Sequence, residues 1–158
     1  MSKALTLLLD QASALELTVA EIYDQLSEQF AENTTLSHFW ALFAEAERYH
    51  SLIIQMQKLG MTQATSDTDR LDEWEGEIGE TQIFLNQLVT RLKTEGWKPS
   101  IAEAFDLAQD IEGRSLEVQS RSFSLFESPA IKQLVTTLHQ EDMQHRAKLI
   151  SAKEKFVQ

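Results

Sequence analysis

Two short segments of the sequence place an acidic residue three positions before a histidine. They are Glu47-x-x-His50, within AERYH, and Asp142-x-x-His145. On a helix such residues lie on adjacent turns of one face, so a carboxylate oxygen and an imidazole nitrogen can reach the same point. Oxygen and imidazole donors without thiolate suit iron or manganese. A single pair of this kind is weak evidence, so the surroundings of each pair decide its meaning.

Both acids lie at the centre of an apolar stripe rather than at its polar edge. At about 100° per residue on a helical wheel, four apolar residues fall within about 40° of Glu47: Leu36, Trp40, Phe43 and Ile54. Glu16, Glu112 and Asp142 have equivalent surroundings, because all four acids follow apolar residues 11, 7 and 4 positions earlier. The candidate metal ligands are therefore Glu16, Glu47, His50, Glu112, Asp142 and His145.

Further residues near these stripes could support such a site. Tyr23 lies two turns after Glu16, and Gln119 has the same offset from Glu112, so both are candidates to hydrogen-bond a ligand. Glu141 also precedes His145 closely, but it lies about 100° from the stripe centre, which favours Asp142 over Glu141 as the ligand. Among the other histidines, His38 and His139 are expected at the surface or at the edge of a stripe.

Packing the four stripes together would bring four carboxyl groups and two imidazoles into one core. Unpaired buried carboxylates are costly, and close carboxylates also repel one another. No Lys or Arg lies on the stripes near the four acids to neutralise their negative charges. A pair of divalent metal ions would supply the missing positive charge.

The elements that must position these residues are long helices. Apolar spacings of three and four predict α1 at about residues 2–31, α2 at 35–59, α3 at 71–94, α4 at 100–126 and α5 at 129–156. Asn33 and the two threonines after it suit the start of α2, Ser100 and Glu103 form a capping box for α4, and Pro129 suits the first turn of α5. A polar loop and the extra helix α3, which includes Trp74, fill the connection between α2 and α4.

The two halves of the chain repeat the pattern. Glu16 and Glu112 are 96 residues apart, and Glu47 and Asp142 are 95 apart. The first helix of each half carries a lone Glu, and the second helix carries an acid followed three positions later by His. The sequence therefore predicts two helix hairpins, α1–α2 and α4–α5, related by a degenerate internal repeat.

Composition limits the other functions. The 158 residues are 42% hydrophobic and suit one domain spanning 1–158 with a sizeable core. The absence of Cys excludes disulfides, zinc fingers and iron–sulfur centres. A formal charge of −11 argues against nucleic acid as a partner. No stretch of 18 uncharged apolar residues occurs, so no membrane partner and a cytoplasmic location are expected.

The six candidate ligands together resemble the ligand set of the ferritin-like di-iron carboxylate proteins, closest to the rubrerythrin branch. In this superfamily two helices supply one Glu each and two supply Glu-x-x-His. The resemblance covers all of the chain except the connection at 61–97. It implies an all-α, left-handed four-helix bundle with a long crossover, two bound Fe ions, and ferroxidase or peroxidase reactions with O2 or H2O2. Mn or another divalent metal would also suit these ligands.

The same resemblance implies roles for the residues. Glu47 and Asp142 would bridge two metals, each histidine would bind one metal, and Glu16 and Glu112 would be terminal ligands. The family usually has Glu where this chain has Asp142, and rubrerythrins have an additional Glu one turn from the ligand on α4, where this chain offers Gln109 and Ser115. Without Cys there is no rubredoxin module, so catalysis would need a separate electron donor.

Several functions remain open from the sequence. The first is a di-metal oxidoreductase in iron or oxidative-stress handling. Iron storage or delivery is the second, and a helical partner protein without turnover, with or without a metal, is the third. A di-iron hydroxylase of an organic substrate is a further alternative, although no feature names its substrate. Because amphipathic bundles of this kind often pair, a homodimer is also an expectation.

Overall fold

The computed structural model describes the backbone of residues 3–60, 71–125 and 128–157, and every regular element within these ranges is a helix. The helices are α1 (Lys3–Gln29), α2 (Thr34–Gly60), α3 (Leu71–Lys93), α4 (Ile101–Leu125) and α5 (Pro129–Phe156). The prediction of an all-α fold is confirmed. The polar loop expected at 61–70 lies outside the described residues, and the assignment of 1–158 to one domain stays a prediction.

The helix starts follow the local sequence. The side-chain oxygen of Asn33 accepts a hydrogen bond from the backbone N–H of Leu36 at 3.1 Å, which caps α2. At the start of α4, the N–H of Ser100 donates to the Glu103 carboxylate at 2.7 Å, and the N–H of Glu103 donates to Ser100 Oγ at 3.3 Å. This is the reciprocal capping box that the sequence predicts. Pro129 opens α5 without a side-chain hydrogen bond from Ser128.

The first two helices form an antiparallel pair. Near one end the hydroxyls of Ser13 and Ser51 lie 2.7 Å apart, and near the other those of Ser27 and Ser37 lie 3.1 Å apart. The order of these contacts along α1 is the reverse of their order along α2. Helix α4 packs mainly against α5, so two helix pairs contribute the buried stripes.

Helix α3 packs against α1 and α4. Among its described residues, the buried apolar side chains are Ile78, Leu85, Leu88 and Leu92. Gln82 donates a hydrogen bond to Thr18 of α1 at 3.1 Å. After α3 the chain turns at Gly96, whose φ of 66° lies in the left-handed region that favours glycine. The partly buried Trp97 then packs on the core, and the side chain of Trp74 lies outside the described residues.

Aromatic side chains fill one side of the core along the helix axes. Tyr23, Trp40 and Phe105 are fully buried, with ring centroids 5.9 Å apart for Tyr23 and Trp40 and 4.9 Å apart for Trp40 and Phe105. Phe39 and Phe43 extend this cluster. Rings interlocked in this way fix the helices that carry the polar residues next to them.

None of the described helices combines the length and apolarity needed to cross a membrane.

Candidate metal centre

The structure brings the six predicted ligands together in the core. Each has at most 7% of its surface exposed, although all are polar or charged. One comes from α1, two from α2, one from α4 and two from α5: Glu16; Glu47 and His50; Glu112; Asp142 and His145. Polar groups buried to this degree need partners, because burial without compensation is costly.

Glu47 lies between the two histidines. Its Oε2 is 2.9 Å from His50 Nδ1, and its Oε1 is 3.1 Å from His145 Nδ1. The first contact has hydrogen-bond geometry. The second is short but its angle does not suit a hydrogen bond, so Glu47 Oε1 and His145 Nδ1 are both buried without a hydrogen-bond partner among the described residues. One carboxylate thus directs one oxygen at each imidazole.

The remaining acids surround the same imidazoles. Asp142 Oδ1 lies 3.7 Å from His50 Nδ1, and Glu16 Oε2 lies 4.0 Å from it. Glu112 Oε2 lies 3.8 Å from His145 Nδ1. The two imidazole rings are nearly parallel, with an interplanar angle of 22° and centroids 5.3 Å apart. Both histidines therefore turn Nδ1 towards the carboxylates.

Glu141 occupies a position that the sequence did not indicate. Its Oε2 lies 2.7 Å from His50 Nε2, on the side of the ring away from Glu47. Its side chain is 34% exposed, whereas Asp142 is buried in the cluster. Asp142 therefore points into the cluster, and Glu141 contacts His50 from outside it. A carboxylate on the far nitrogen of a ligand histidine fixes its tautomer and ring orientation. No periodicity could have found this contact, because it joins α2 to α5.

Tyr23 hydrogen-bonds a candidate ligand, as the sequence suggested. Its hydroxyl donates to Glu112 Oε1 at 2.7 Å, and the whole residue is buried. The contact joins α1 to α4 across the core. The side chain of Gln119, which the sequence paired with Tyr23, lies outside the described residues. His38 is exposed and His139 is half-buried, consistent with their expected positions away from the stripe centres.

The charges of the cluster are unequal. Burial raises the pKa of Glu16 and of Glu112 well above the ordinary range, and nearby carboxylates raise both further. Burial alone would also raise the pKa of Glu47, but its interactions with His145 and His50 outweigh burial and lower this pKa to about 2. Burial disfavours charged His50, yet Glu47 and the other acids raise its pKa to about 10. Without a cation, the cluster thus combines an ionised Glu47–His50 pair with two carboxyl groups, Glu16 and Glu112, whose charged forms are disfavoured.

Two overlapping groups of donors are close enough to hold a metal ion. One comprises Glu47, His50 and His145, and the other comprises Glu112, Asp142 and His145. Within each group, one donor atom per residue lies within 4.8 Å of the others, and every member is buried. The donors are carboxylate oxygen and imidazole nitrogen only, which suits a divalent ion of the iron or manganese kind. The two unpartnered donor atoms on Glu47 and His145 also fit a cation between them.

An apolar cavity of about 50 Å³ adjoins the cluster on the side opposite the aromatic residues. Glu16 is part of its wall, together with apolar side chains that include Leu9, Ala12, Ile54 and Leu138. A cavity of about 150 Å³ with a comparable lining can hold benzene. The smaller cavity here suits a molecule of two or three heavy atoms.

No protein-family model, curated protein or solved structure matches this chain.

Proposed function

We propose that this protein binds two divalent metal ions, with iron as the preferred metal, and that the bound iron reacts with O2 or H2O2. In this proposal α1, α2, α4 and α5 form a ferritin-like, left-handed four-helix bundle of the rubrerythrin kind, and α3 belongs to the long crossover. The observation that carries the proposal is the position of Glu47, with one carboxylate oxygen near Nδ1 of each histidine. A carboxylate in this position suits a bridge between two cations.

Electrostatics supports two ions rather than none. The cluster contains four buried acids and two histidines, and burial together with repulsion between the acids favours the uptake of protons by Glu16 and Glu112. Metal ions replace such protons, because they require deprotonated ligands. His50 and His145 would each bind one ion through Nδ1, Glu47 and Asp142 would lie between the ions, and Glu16 and Glu112 would complete the two ends. Manganese or another divalent metal would suit the same donors.

The surroundings of the site favour redox chemistry over passive binding. Bound iron would supply the electrons for reduction of O2 or peroxide. The apolar cavity beside Glu16 would admit a small uncharged molecule, while the aromatic side chains exclude water from the opposite side. Tyr23 would hold Glu112 in place through its hydroxyl. Because the chain has no Cys, electrons for repeated turnover would come from a separate donor.

Metal analysis and spectroscopy test this proposal. Protein expressed with ample iron and purified without chelator is expected to carry up to two metal ions per chain, with anomalous scattering at the iron edge between the histidines. Addition of O2 or H2O2 to the ferrous protein should produce near-ultraviolet absorption from a di-ferric centre. Metal binding without this change would favour iron delivery or storage, and a large closed oligomer would favour storage. Absence of bound metal would contradict the proposal.

A further inference from the structure

The outer face of α2 carries a second apolar stripe. Leu42, Tyr49, Leu52, Met56 and Leu59 are between 50% and 78% exposed, which is unusual for large apolar side chains on one helix. Together with Glu45 they follow spacings of 3, 4, 3, 4 and 3 residues. This alternation brings side chains onto one seam of a helix and is the pattern by which helices pack against each other in coiled coils. We name these six residues the outer α2 stripe.

The outer α2 stripe faces away from the core of its own chain. At about 100° per residue, its mean direction lies about 180° from Glu47, which marks the centre of the buried stripe. The buried face of α2 is already covered by α1 and α5. Packing within one chain therefore accounts for one apolar face of α2 and leaves the other exposed.

We propose that the outer α2 stripe binds the same stripe of a second copy of this chain, with the two α2 helices antiparallel. The spacing of the stripe is the same in both directions along the helix. In an antiparallel pair, each residue therefore lies opposite the residue of the second copy for which the two residue numbers add up to 101. Leu42 then faces Leu59 of the second copy, and Tyr49 faces Leu52. A patch that complements itself in this way produces a closed twofold dimer rather than an open chain.

Charge favours the antiparallel arrangement over the parallel one. Glu45 is the one charged residue in the stripe. Antiparallel pairing places it opposite Met56, whereas parallel pairing would place two Glu45 carboxylates against each other. The cations next to the stripe, Arg48 and Lys58, already form ion pairs with Asp24 and Asp10 of α1. They therefore add little repulsion between two copies.

The exposed area is sufficient for a small interface. With about 200 Å² for a fully exposed side chain of this size, the five apolar residues expose roughly 600 Å² per copy, so a pair would bury roughly 1,200 Å². This lies at the lower limit for specific protein interfaces. The dimer is therefore expected to form at micromolar concentration and to be sensitive to single substitutions within the stripe.

Analytical ultracentrifugation of the full chain tests the surface. The wild-type protein is expected to be a dimer, and Leu52→Glu should raise the dissociation constant at least about 100-fold, because each copy would bring a carboxylate into the apolar seam. Ile83→Glu is the matched control: Ile83 is 61% exposed but lies on α3, so its substitution should leave the dimer unchanged. A wild-type monomer, or equal effects of both substitutions, would overturn the proposal.

Cysteine cross-linking tests the direction of pairing, because the natural chain has no Cys. An equal mixture of Leu42→Cys and Leu59→Cys proteins should form a disulfide-linked dimer on oxidation. Leu42→Cys alone should not, because antiparallel pairing separates the two copies of residue 42 by about 25 Å along the helices. Efficient cross-linking of Leu42→Cys with itself would indicate parallel helices and overturn the proposed register.

Discussion

The two helix hairpins supply similar residues to the core but use them differently. In α1–α2, Glu47 contacts both histidines through its two oxygens. In α4–α5, the equivalent acid is Asp142, one methylene shorter, whose Oδ1 lies 3.7 Å from His50 Nδ1. The longer side chain thus places one oxygen within 3.1 Å of each imidazole.

The two histidines also differ in the contacts of their ring nitrogens. His50 has a carboxylate on each ring nitrogen, Glu47 at Nδ1 and Glu141 at Nε2. His145 directs Nδ1 at Glu47 and Glu112 without a hydrogen bond at that atom. The first hairpin thus contributes a charged pair that is already formed, whereas His145 of the second hairpin directs a nitrogen without a hydrogen bond at the cluster. The two halves of the predicted repeat therefore contribute unequal contacts to one cluster.

The largest effect is expected from removal of the acid that serves both histidines. Glu47→Ala should weaken metal binding by at least about 100-fold, which exceeds the 10–100-fold loss typical of residues that only orient a ligand. The affinity for ferrous iron under anaerobic conditions, measured by titration calorimetry, checks this. Glu45→Ala is the control because Glu45 is exposed on the same helix. If both variants bind metal alike, the role assigned to Glu47 is wrong.

A smaller loss is expected when His50 loses its outer partner. Glu141→Ala removes the acceptor at Nε2 and should weaken metal binding about 10–100-fold. Glu141→Gln keeps an acceptor oxygen and should recover most of this loss. The same titration applies, with Gln144→Ala as a control on the exposed face of α5. Failure of Glu141→Gln to recover more affinity than Glu141→Ala would argue against an orienting hydrogen bond.

The contact between the hairpins should contribute less. Tyr23→Phe removes the hydroxyl that donates to Glu112 and leaves a buried carboxyl without this donor. We expect a loss of about 1 kcal/mol in the free energy of unfolding of the metal-free protein, and a change in metal affinity smaller than that of Glu141→Ala. Urea unfolding measures the stability. Gln144→Ala on the exposed face of α5 should change neither quantity, and equal losses in both variants would remove Tyr23 from the site.

The smallest effect is expected from substitutions at the N-terminal caps of α4 and α5, which should leave metal affinity unchanged. Ser100→Ala breaks the capping box of α4 and should cost about 1 kcal/mol of stability. Ser128→Ala should cost less, because Ser128 makes no capping hydrogen bond through its side chain. Urea unfolding of both variants checks the order, and the reverse order would contradict the assigned caps.

The capping box also has a defined pH dependence. Its hydrogen bonds from Ser100 hold the pKa of Glu103 below the ordinary value. A lowered pKa in the folded state contributes stability above the ordinary pKa of the group, and this contribution is lost as the pH falls through the lowered value. The difference in stability between wild type and Ser100→Ala should therefore narrow in acid.

The sequence predicted the helices because periodicity and caps are local properties. Leu36, Trp40 and Ile54 recur at helical spacings whatever the rest of the chain does, and Ser100 with Glu103 marks a helix start within four residues. The same spacing indicated that Glu16, Glu47, Glu112 and Asp142 share the buried faces.

The relation between the helices was decided by the tertiary structure alone. Only packing places Glu141 of α5 on His50 of α2, joins Tyr23 of α1 to Glu112 of α4, and leaves a cavity beside Glu16. A helical wheel gives the direction of a side chain around its own axis, but not the distance or rotation of another helix. The sequence by itself therefore determined which acids and histidines lie on buried faces, and the tertiary structure decided which of their atoms meet.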